Sequence, residues 1–205
     1  MTTFNNPVDT WNRRYATAQY IFGEMPNVYL QRQAAHLKPG SALSVADGEG
    51  RNGVWLAEQG LQVDAFDFSP LALEKARNLA QRRHQSVHWQ CSDWQSFDWK
   101  TAHYDNVVGI FFQFANPEDR AALFAQMDAS LKPGGTLVIQ GYSLAQLQYN
   151  TGGPGKRDHL YDEQLMREAF PQYDMLDLKT YEEQMDEGTA HAGISGLLGM
   201  TARKR

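Results

Sequence analysis

A glycine-rich segment is the part of the sequence best suited to chemistry. Residues 48–53 read Gly-Glu-Gly-Arg-Asn-Gly, between a predicted strand at 42–46 and a predicted helix at 51–59. A strand, a turn of this glycine spacing and a helix bring the backbone close to a nucleotide cofactor, and an acidic residue about 20 positions later holds the ribose. The candidate cofactor-binding residues are therefore Gly48, Gly50, Arg51, Asn52, Asp67 and its neighbour Phe68.

The charges around this turn bear on which cofactor it takes. Asp47 and Glu49 flank the backbone that would receive a pyrophosphate, and like charges disfavour that ligand. S-adenosylmethionine (SAM) has no phosphate and carries an ammonium group, so nearby acids favour it. Arg51 is expected to pair with a neighbouring acid, although it could also contact a phosphate. An NAD(P)-dependent oxidoreductase is therefore the alternative class.

A second acidic position follows the third predicted strand. Asp93 and Trp94 could provide an acceptor for an adenine amine and an aromatic wall beside it. The alternative is that Ser92 and Asp93 only begin a turn.

Strands and helices alternate along the chain, which is typical of a parallel sheet. A polar, glycine-rich loop spans 148–159, and no helix separates the last two strands, which predicts an antiparallel pair. The expected fold is a Rossmann-like, doubly wound, seven-stranded and mostly parallel sheet with helices on both faces. The predicted strands lie at 42–46, 62–68, 86–90, 104–111, 136–141, 175–184 and 191–202, and the predicted helices begin at Pro26, Arg51, Pro70, Pro117 and Asp162.

Length and charge narrow the classes of protein. The 205 residues suit one domain, 1–205, and the net charge of -5 offers no field that would attract nucleic acid or a membrane. The N-terminus lacks the pattern of a signal peptide, so a cytoplasmic protein is expected. Cys91 is the single cysteine, so a multi-cysteine metal site is excluded and no metal is expected. Its side chain is predicted to be a buried, inert thiol.

Several segments, in this order and spacing, resemble one enzyme family. They are Trp11 to Tyr15, Tyr20 to Asn27, Gly48 to Asn52, Phe66 to Pro70, Leu131 to Gly135 and Glu187 to His191. The chain resembles the class I SAM-dependent methyltransferases, particularly the small bacterial branch of tellurite-resistance (TehB-like) and thiopurine-methyltransferase-like enzymes. The resemblance implies a core at 41–205 beneath an N-terminal helical lid at 1–40.

The resemblance also assigns roles within the cofactor site. Gly48 and Gly50 would line the methionine and ribose, Asp67 would hold the ribose, and Asp93 with Trp94 would hold the adenine. The backbone near Ile110 and Phe111 would border the cofactor. Where the family commonly has an acid and a further glycine, this sequence has Ser44 and Ala46, so Asp47 is expected to contact the methionine end.

The acceptor side is less defined by the sequence. His191 is the candidate catalytic and substrate-contacting residue, by its resemblance to a histidine in tellurite-type relatives, although a structural histidine bonded to a loop carbonyl is the alternative. Tyr149 and Asn150 could contact the acceptor or only order their loop. Tyr20 is expected to join Trp11, Tyr15 and Phe22 in an aromatic wall, or these side chains pack against Phe111 and Phe112.

These patterns predict a SAM-dependent methyltransferase that acts on a small-molecule acceptor, such as a thiol, a thiopurine or a chalcogen oxyanion. The expected assembly is a monomer or weak homodimer. A protein that binds SAM without catalysis is the remaining alternative.

Overall fold

The computed structural model describes residues 7–149 and 151–205, and a seven-stranded sheet forms its centre. The strand order is β3-β2-β1-β4-β5-β7-β6, with β1 to β5 parallel and the last two strands antiparallel to their neighbours. This confirms the predicted mostly parallel sheet with a C-terminal antiparallel pair. The strands are β1 (Ser41–Val45), β2 (Gln62–Asp67), β3 (Val87–Cys91), β4 (Tyr104–Ile110), β5 (Leu131–Tyr142), β6 (Tyr173–Asp186) and β7 (Ala192–Lys204).

The strand order places a crevice above β1 and β4. The chain moves outward from β1 to β2 and β3, then returns to the other side of β1 with β4. The connections on either side of β1 therefore leave in opposite directions, and ligands of such sheets bind beside the carboxyl ends of these strands.

Helices cover both faces of the sheet. They are α1 (Pro7–Tyr15), α2 (Val28–Arg32), α3 (Arg51–Glu58), α4 (Pro70–Arg82), α5 (Pro117–Ser130) and α6 (Glu163–Ala169). Alternate strand residues point to opposite faces, so Leu43 and Val107 pack in the core beneath α5 and α6, whereas Ala42 and Val108 pack in the core beneath α2 and α3. The predicted cap at Ser69 is present, since its hydroxyl accepts the Ala72 amide at 3.2 Å.

Two local predictions are wrong. The helix expected from Pro26 begins at Val28, after its cap Asn27, and gives way at Gln33 to a single 3-10 turn at Ala34–His36. Cys91 is exposed rather than buried, because it ends β3, the outermost strand on its side of the sheet. No helix in the described residues is long and apolar enough to span a membrane.

Candidate active site

A cavity of about 750 Å³ opens at the carboxyl ends of the central strands. Its floor comes from the residues after β1, β2, β3 and β4, and its walls come from α1, the segment at 152–159 and the turn before β7. Most of the predicted site residues meet here: Asp47, Gly48, Arg51, Asn52, Asp67, Phe68, Asp93, Trp94, Ile110, Phe111 and His191.

Of the other four predicted site residues, three do not line the cavity and one lies outside the described residues. The Tyr20 hydroxyl donates to the Lys75 carbonyl at 2.8 Å, which holds the ring against α4. Tyr149 lies near Glu182 of β6, whose carboxylate raises the pKa of its phenol. Gly50 packs beneath the turn, and Asn150 lies outside the described residues.

The three glycines of the turn serve three different purposes. Gly48 has φ +60°, and a Cβ there would lie 3.1 Å from the Tyr15 hydroxyl. Gly50 has φ +90°, and a Cβ there would lie 2.6 Å from the Cβ of Ala76, so this glycine lets α4 pack closely. A Cβ at Gly53 would lie 2.5 Å from Oδ2 of Asp47. Only Gly48 is part of the cavity wall; the other two position the turn.

Asp47 is buried beneath the turn. It accepts hydrogen bonds from the Ser44 hydroxyl at 2.7 Å and from the Gly53 amide at 3.1 Å. Burial, with a smaller contribution from the charge of Asp67, raises the pKa of this carboxyl to about 7. Ser44, at the position where the resemblance would lead us to expect an acid, thus donates to Asp47.

Glu49 does not face the cavity. Its carboxylate pairs with Nζ of Lys75 at 2.7 Å and also accepts the Phe22 amide. Of the two acids that flank the turn in the sequence, only Asp47 can face a cofactor. The expectation that both would attract an ammonium group is wrong for Glu49, because a lysine from α4 already neutralises its charge.

Arg51 forms the expected salt bridge, although its partner comes from the other end of the chain. Its guanidinium contacts Glu187 at 2.7 Å, with both side chains buried, and donates to the Phe22 carbonyl at 3.1 Å. Asn27 donates to the same Glu187 carboxylate at 2.9 Å. These contacts fix the segment before α2 to the turn between β6 and β7.

Asp67 is a buried carboxylate with room for further donors. Its oxygens accept the Gly48 amide at 3.0 Å and the Ser69 amide at 2.9 Å, one on each oxygen. A carboxylate oxygen has two lone pairs, so each can accept one more hydrogen bond. Burial raises the pKa of Asp67 to about 6. A carboxylate with free lone pairs beside the Gly48 backbone can accept hydrogen bonds from the two adjacent hydroxyls of a ribose. The residues present therefore fit SAM.

Asp93 begins a turn and also lies at the cavity. Its Oδ1 accepts the Ser96 amide at 2.8 Å, so the residue does begin a turn. Its side chain nevertheless lines the cavity beside Trp94. A turn that is fixed in this way holds the carboxylate at the edge of the cavity.

The backbone at the cavity floor is strained at two positions. Ala46 has φ +49° and Phe111 has φ +54°, and they follow β1 and β4. Such conformations are unfavourable for residues with a Cβ and concentrate where ligands bind.

His191 is buried among aromatic rings. Its ring centroid lies 4.3 Å from that of Phe111, 4.6 Å from Phe22 and 5.7 Å from Tyr142. Its Nδ1 is buried without a hydrogen-bond partner, so it does not bond to a loop carbonyl. Burial and the charge of Arg51 lower the pKa of the imidazole to about 3. The side chain is therefore a neutral polar group in an apolar wall.

The aromatic wall has a different composition from the expected one. Trp11 stacks on Tyr15 with centroids 5.5 Å apart, and Phe22 lies 6.1 Å from Trp11. All three line the cavity, whereas Tyr20 does not. Phe22 also contacts His191, which joins this wall to the turn before β7.

The lining residues that the sequence reasoning missed include Arg14, Tyr142 and Lys156. Helical spacing could have found Arg14, since positions 11, 14 and 15 of α1 share one face. The predicted end of β5 at residue 141 left out Tyr142. Nothing local distinguishes Lys156 from the other polar residues of its loop.

Comparisons with known proteins agree with this geometry. Residues 42–135 match a family model described as a methyltransferase domain, over slightly less than half of the chain. No curated protein matches the sequence significantly.

Solved structures share the fold over nearly the whole chain. One, from work on the conversion of a disulfide bond into a thioacetal group during echinomycin biosynthesis, has TM-score 0.75 and 16% identity and covers 97% of this chain and 92% of its own. TehB from Haemophilus influenzae has TM-score 0.72 and 18% identity, and the match covers 97% of this chain and 67% of the TehB chain. The 1,6-didemethyltoxoflavin-N1-methyltransferase from Burkholderia thailandensis, with bound S-adenosylhomocysteine, has TM-score 0.61 and 21% identity, with 86% and 78% covered.

The matched domain identifies the class of enzyme, and the solved structures share its fold. The chain is a SAM-dependent methyltransferase, and its cofactor is S-adenosylmethionine.

Proposed function

We propose that this enzyme methylates a small molecule that binds between α1 and the segment at 152–159. The observation that carries this proposal is the continuity of one cavity from Asp67 to His191. The volume of this cavity, about 750 Å³, is within the size of small-ligand pockets, about 300–1,000 Å³. The net charge of -5 also disfavours a nucleic acid substrate.

The proposed cofactor contacts follow the strand ends. Asp67 accepts hydrogen bonds from the ribose hydroxyls, and Asp47 faces the ammonium group beside Gly48. Asp93 and Trp94 hold the adenine, while the backbone of Ile110 and Phe111 borders the cofactor. Phe68, Arg51 and Asn52 complete this part of the wall.

The chain's contribution to the reaction is alignment and the exclusion of water. When bound, SAM would supply a methyl group carried on a sulfonium sulfur. A lone pair of the acceptor would form the new bond to the methyl carbon, and the sulfur would keep the electron pair of the broken carbon–sulfur bond. Within the proposed lid, residues 1–40, the described side chains of Trp11, Tyr15 and Phe22 line the cavity. The contacts of Arg51 and Asn27 with Glu187 hold the described part of that lid in place. His191 is proposed to contact the acceptor.

We further propose a place in the small bacterial branch that includes TehB-like and thiopurine-type enzymes. Support comes from the shared fold with Haemophilus influenzae TehB over 97% of this chain, at 18% identity. The motifs from Trp11 to His191 support the same placement.

Methyl transfer is tested by incubating the protein with methyl-labelled SAM and thiols, thiopurines, selenite, tellurite and N-heterocycles. Label on a small acceptor supports the proposal. Tight binding of SAM without transfer to any acceptor, including those in an extract of small metabolites, contradicts the catalytic function.

A further inference from the structure

Charge divides the cavity into two parts. The acidic lining residues lie on one side of the crevice, since Asp47 and Asp93 follow β1 and β3 and Asp67 ends β2. The cations Arg14 and Lys156 line the cavity from α1 and from the loop after β5, and neither pairs with a carboxylate of the described residues. After burial and Arg51, the charge of Arg14 also lowers the pKa of His191. The part of the cavity beside His191 is therefore electropositive.

The wall around His191 is a set of flat rings. Phe22, Phe111 and Tyr142 surround the imidazole at centroid distances of 4.6, 4.3 and 5.7 Å. Gly152 and Gly153 lie against Tyr142, where a Cβ would lie within 3.0 Å of the ring or hydroxyl. Rings of this kind favour a planar aromatic ligand, which can stack or approach edge to face.

The two nitrogens of His191 have different surroundings. Nδ1 is fully buried and unpaired, whereas Nε2 is not among the fully buried unpaired atoms and makes no hydrogen bond within the described residues. Buried N–H groups without an acceptor are rare in native proteins. The proton of the neutral imidazole therefore belongs on Nε2, where it points toward the cavity as a donor.

A proton taken up by His191 would be strongly disfavoured. The imidazolium would carry a second N–H at the unpaired, buried Nδ1 and a positive charge near Arg14 and Arg51. Glu187, whose amide donates to the His191 carbonyl, has its carboxylate already paired with Arg51 at 2.7 Å. His191 can donate a hydrogen bond, but it is poorly suited to remove a proton.

The other histidine of the cavity is also occupied. Nδ1 of His159 lies 3.2 Å from the Gln113 carbonyl, and Nε2 lies 4.0 Å from the Asp158 carboxylate. Its Nδ1 is therefore engaged by the protein, and Asp158 lies beside its Nε2. Of the two histidines, only His191 lies within the wall of rings.

We propose that the methyl acceptor binds as a planar aromatic anion, held by the Nε2–H of His191 and by the charges of Arg14 and Lys156. This inference rests on the proposed function, since it names the chemical class of acceptor at the same site. An acceptor of this class loses its proton to water before it binds. The enzyme then handles no proton, which agrees with the donor arrangement of His191.

Binding of fragments to the protein loaded with S-adenosylhomocysteine tests this inference without turnover. The probes are benzoate, benzamide and benzylamine, titrated by ligand-observed NMR at low ionic strength. We expect benzoate to bind at least about fivefold more tightly than benzamide, in line with the strength of charge-assisted hydrogen bonds. Selenite, an anion without a ring, should not displace benzoate.

Charge-removing variants locate the interaction. Arg14→Gln and Lys156→Gln should each weaken benzoate binding about twofold to fivefold and leave benzamide unchanged. Arg13→Gln is the matched control, because Arg13 neighbours Arg14 on α1 but does not line the cavity. His191→Phe should weaken benzoate binding about tenfold or more, whereas His191→Gln keeps an N–H donor and should retain most of the affinity.

The outcomes separate this inference from the proposed function. If S-adenosylhomocysteine does not bind, the proposed function fails. If it binds but benzamide or benzylamine binds as well as benzoate, only the anionic acceptor is overturned. Equal losses in Arg13→Gln and Arg14→Gln, or displacement of benzoate by selenite, overturn it as well.

Discussion

Replacement of Asp67 by asparagine removes a negative charge from the proposed ribose site with little change in shape. In the structure both oxygens already accept one backbone amide and have one lone pair left for a ribose hydroxyl. A hydrogen bond to a charged group contributes about 1.5–3 kcal/mol. We therefore expect Asp67→Asn to weaken the binding of S-adenosylhomocysteine by about 10- to 150-fold at pH 8.

The pH dependence of the same affinity provides a second test. Burial raises the pKa of Asp67 to about 6, so the free protein protonates this carboxyl as the pH falls below that value. Hydroxyl donors bind the ionised form, and affinity should fall between pH 7 and pH 5. Asp67→Asn should show a shallower dependence, because Asp47 still titrates there.

Isothermal titration calorimetry measures both effects, with Asp64→Asn as the control. Asp64 lies three residues earlier on β2, where it pairs with Lys100 and accepts the Tyr104 hydroxyl away from the cavity. Its replacement should leave the affinity unchanged. An affinity of Asp67→Asn within twofold of the original protein would refute the proposed position of the ribose.

Three further changes test the packing beneath the site by urea denaturation. Burial raises the pKa of Asp47 to about 7, so the folded protein holds a proton that the unfolded chain loses near pH 4. The free energy of unfolding should therefore fall as the pH rises from 4 to 7, and it should fall less in Asp47→Asn. Parallel pH profiles for the two proteins would contradict this. Gly50→Ala should destabilise the protein by about 2–5 kcal/mol, through backbone strain at positive φ and overpacking against α4. The control Gly60→Ala, where φ is also positive but the space is open, should cost about 1 kcal/mol. Equal losses would contradict tight packing of α4 on Gly50. Glu187→Gln should destabilise the protein by about 3–5 kcal/mol, because it leaves the buried guanidinium of Arg51 unpaired. Glu183→Gln, at the more exposed pair with Arg32, should change stability by about 1 kcal/mol or less. Similar losses in the two variants would contradict a structural role for the buried pair.

Local patterns were sufficient to predict the sheet and, to within one residue, the carboxyl ends of its parallel strands. Gly48 and Asp93 follow strands whose apolar pattern is visible in the sequence, Asp67 ends another, and parallel strands bring such positions to one edge. Their meeting in one cavity is therefore predictable from the order of the residues alone.

Contacts between distant segments could not be read in this way. The partner of Arg51 is Glu187, and Lys75 removes the charge of Glu49, because the fold brings together residues far apart in the sequence. The expected roles of Tyr20 failed for the same reason, since only the packing of its segment on α4 decides where the ring points. Desolvation of His191 likewise depends on rings from several elements.

Stabilisation by S-adenosylhomocysteine, compared with NADH, tests the central claim most directly. A ligand at about 100 times its dissociation constant adds about 2.7 kcal/mol, which for a chain of this length raises Tm by roughly 5–10 °C. The arrangement of Asp47, Gly48 and Asp67 predicts this shift with S-adenosylhomocysteine and none with NADH. A shift with NADH alone would contradict the account.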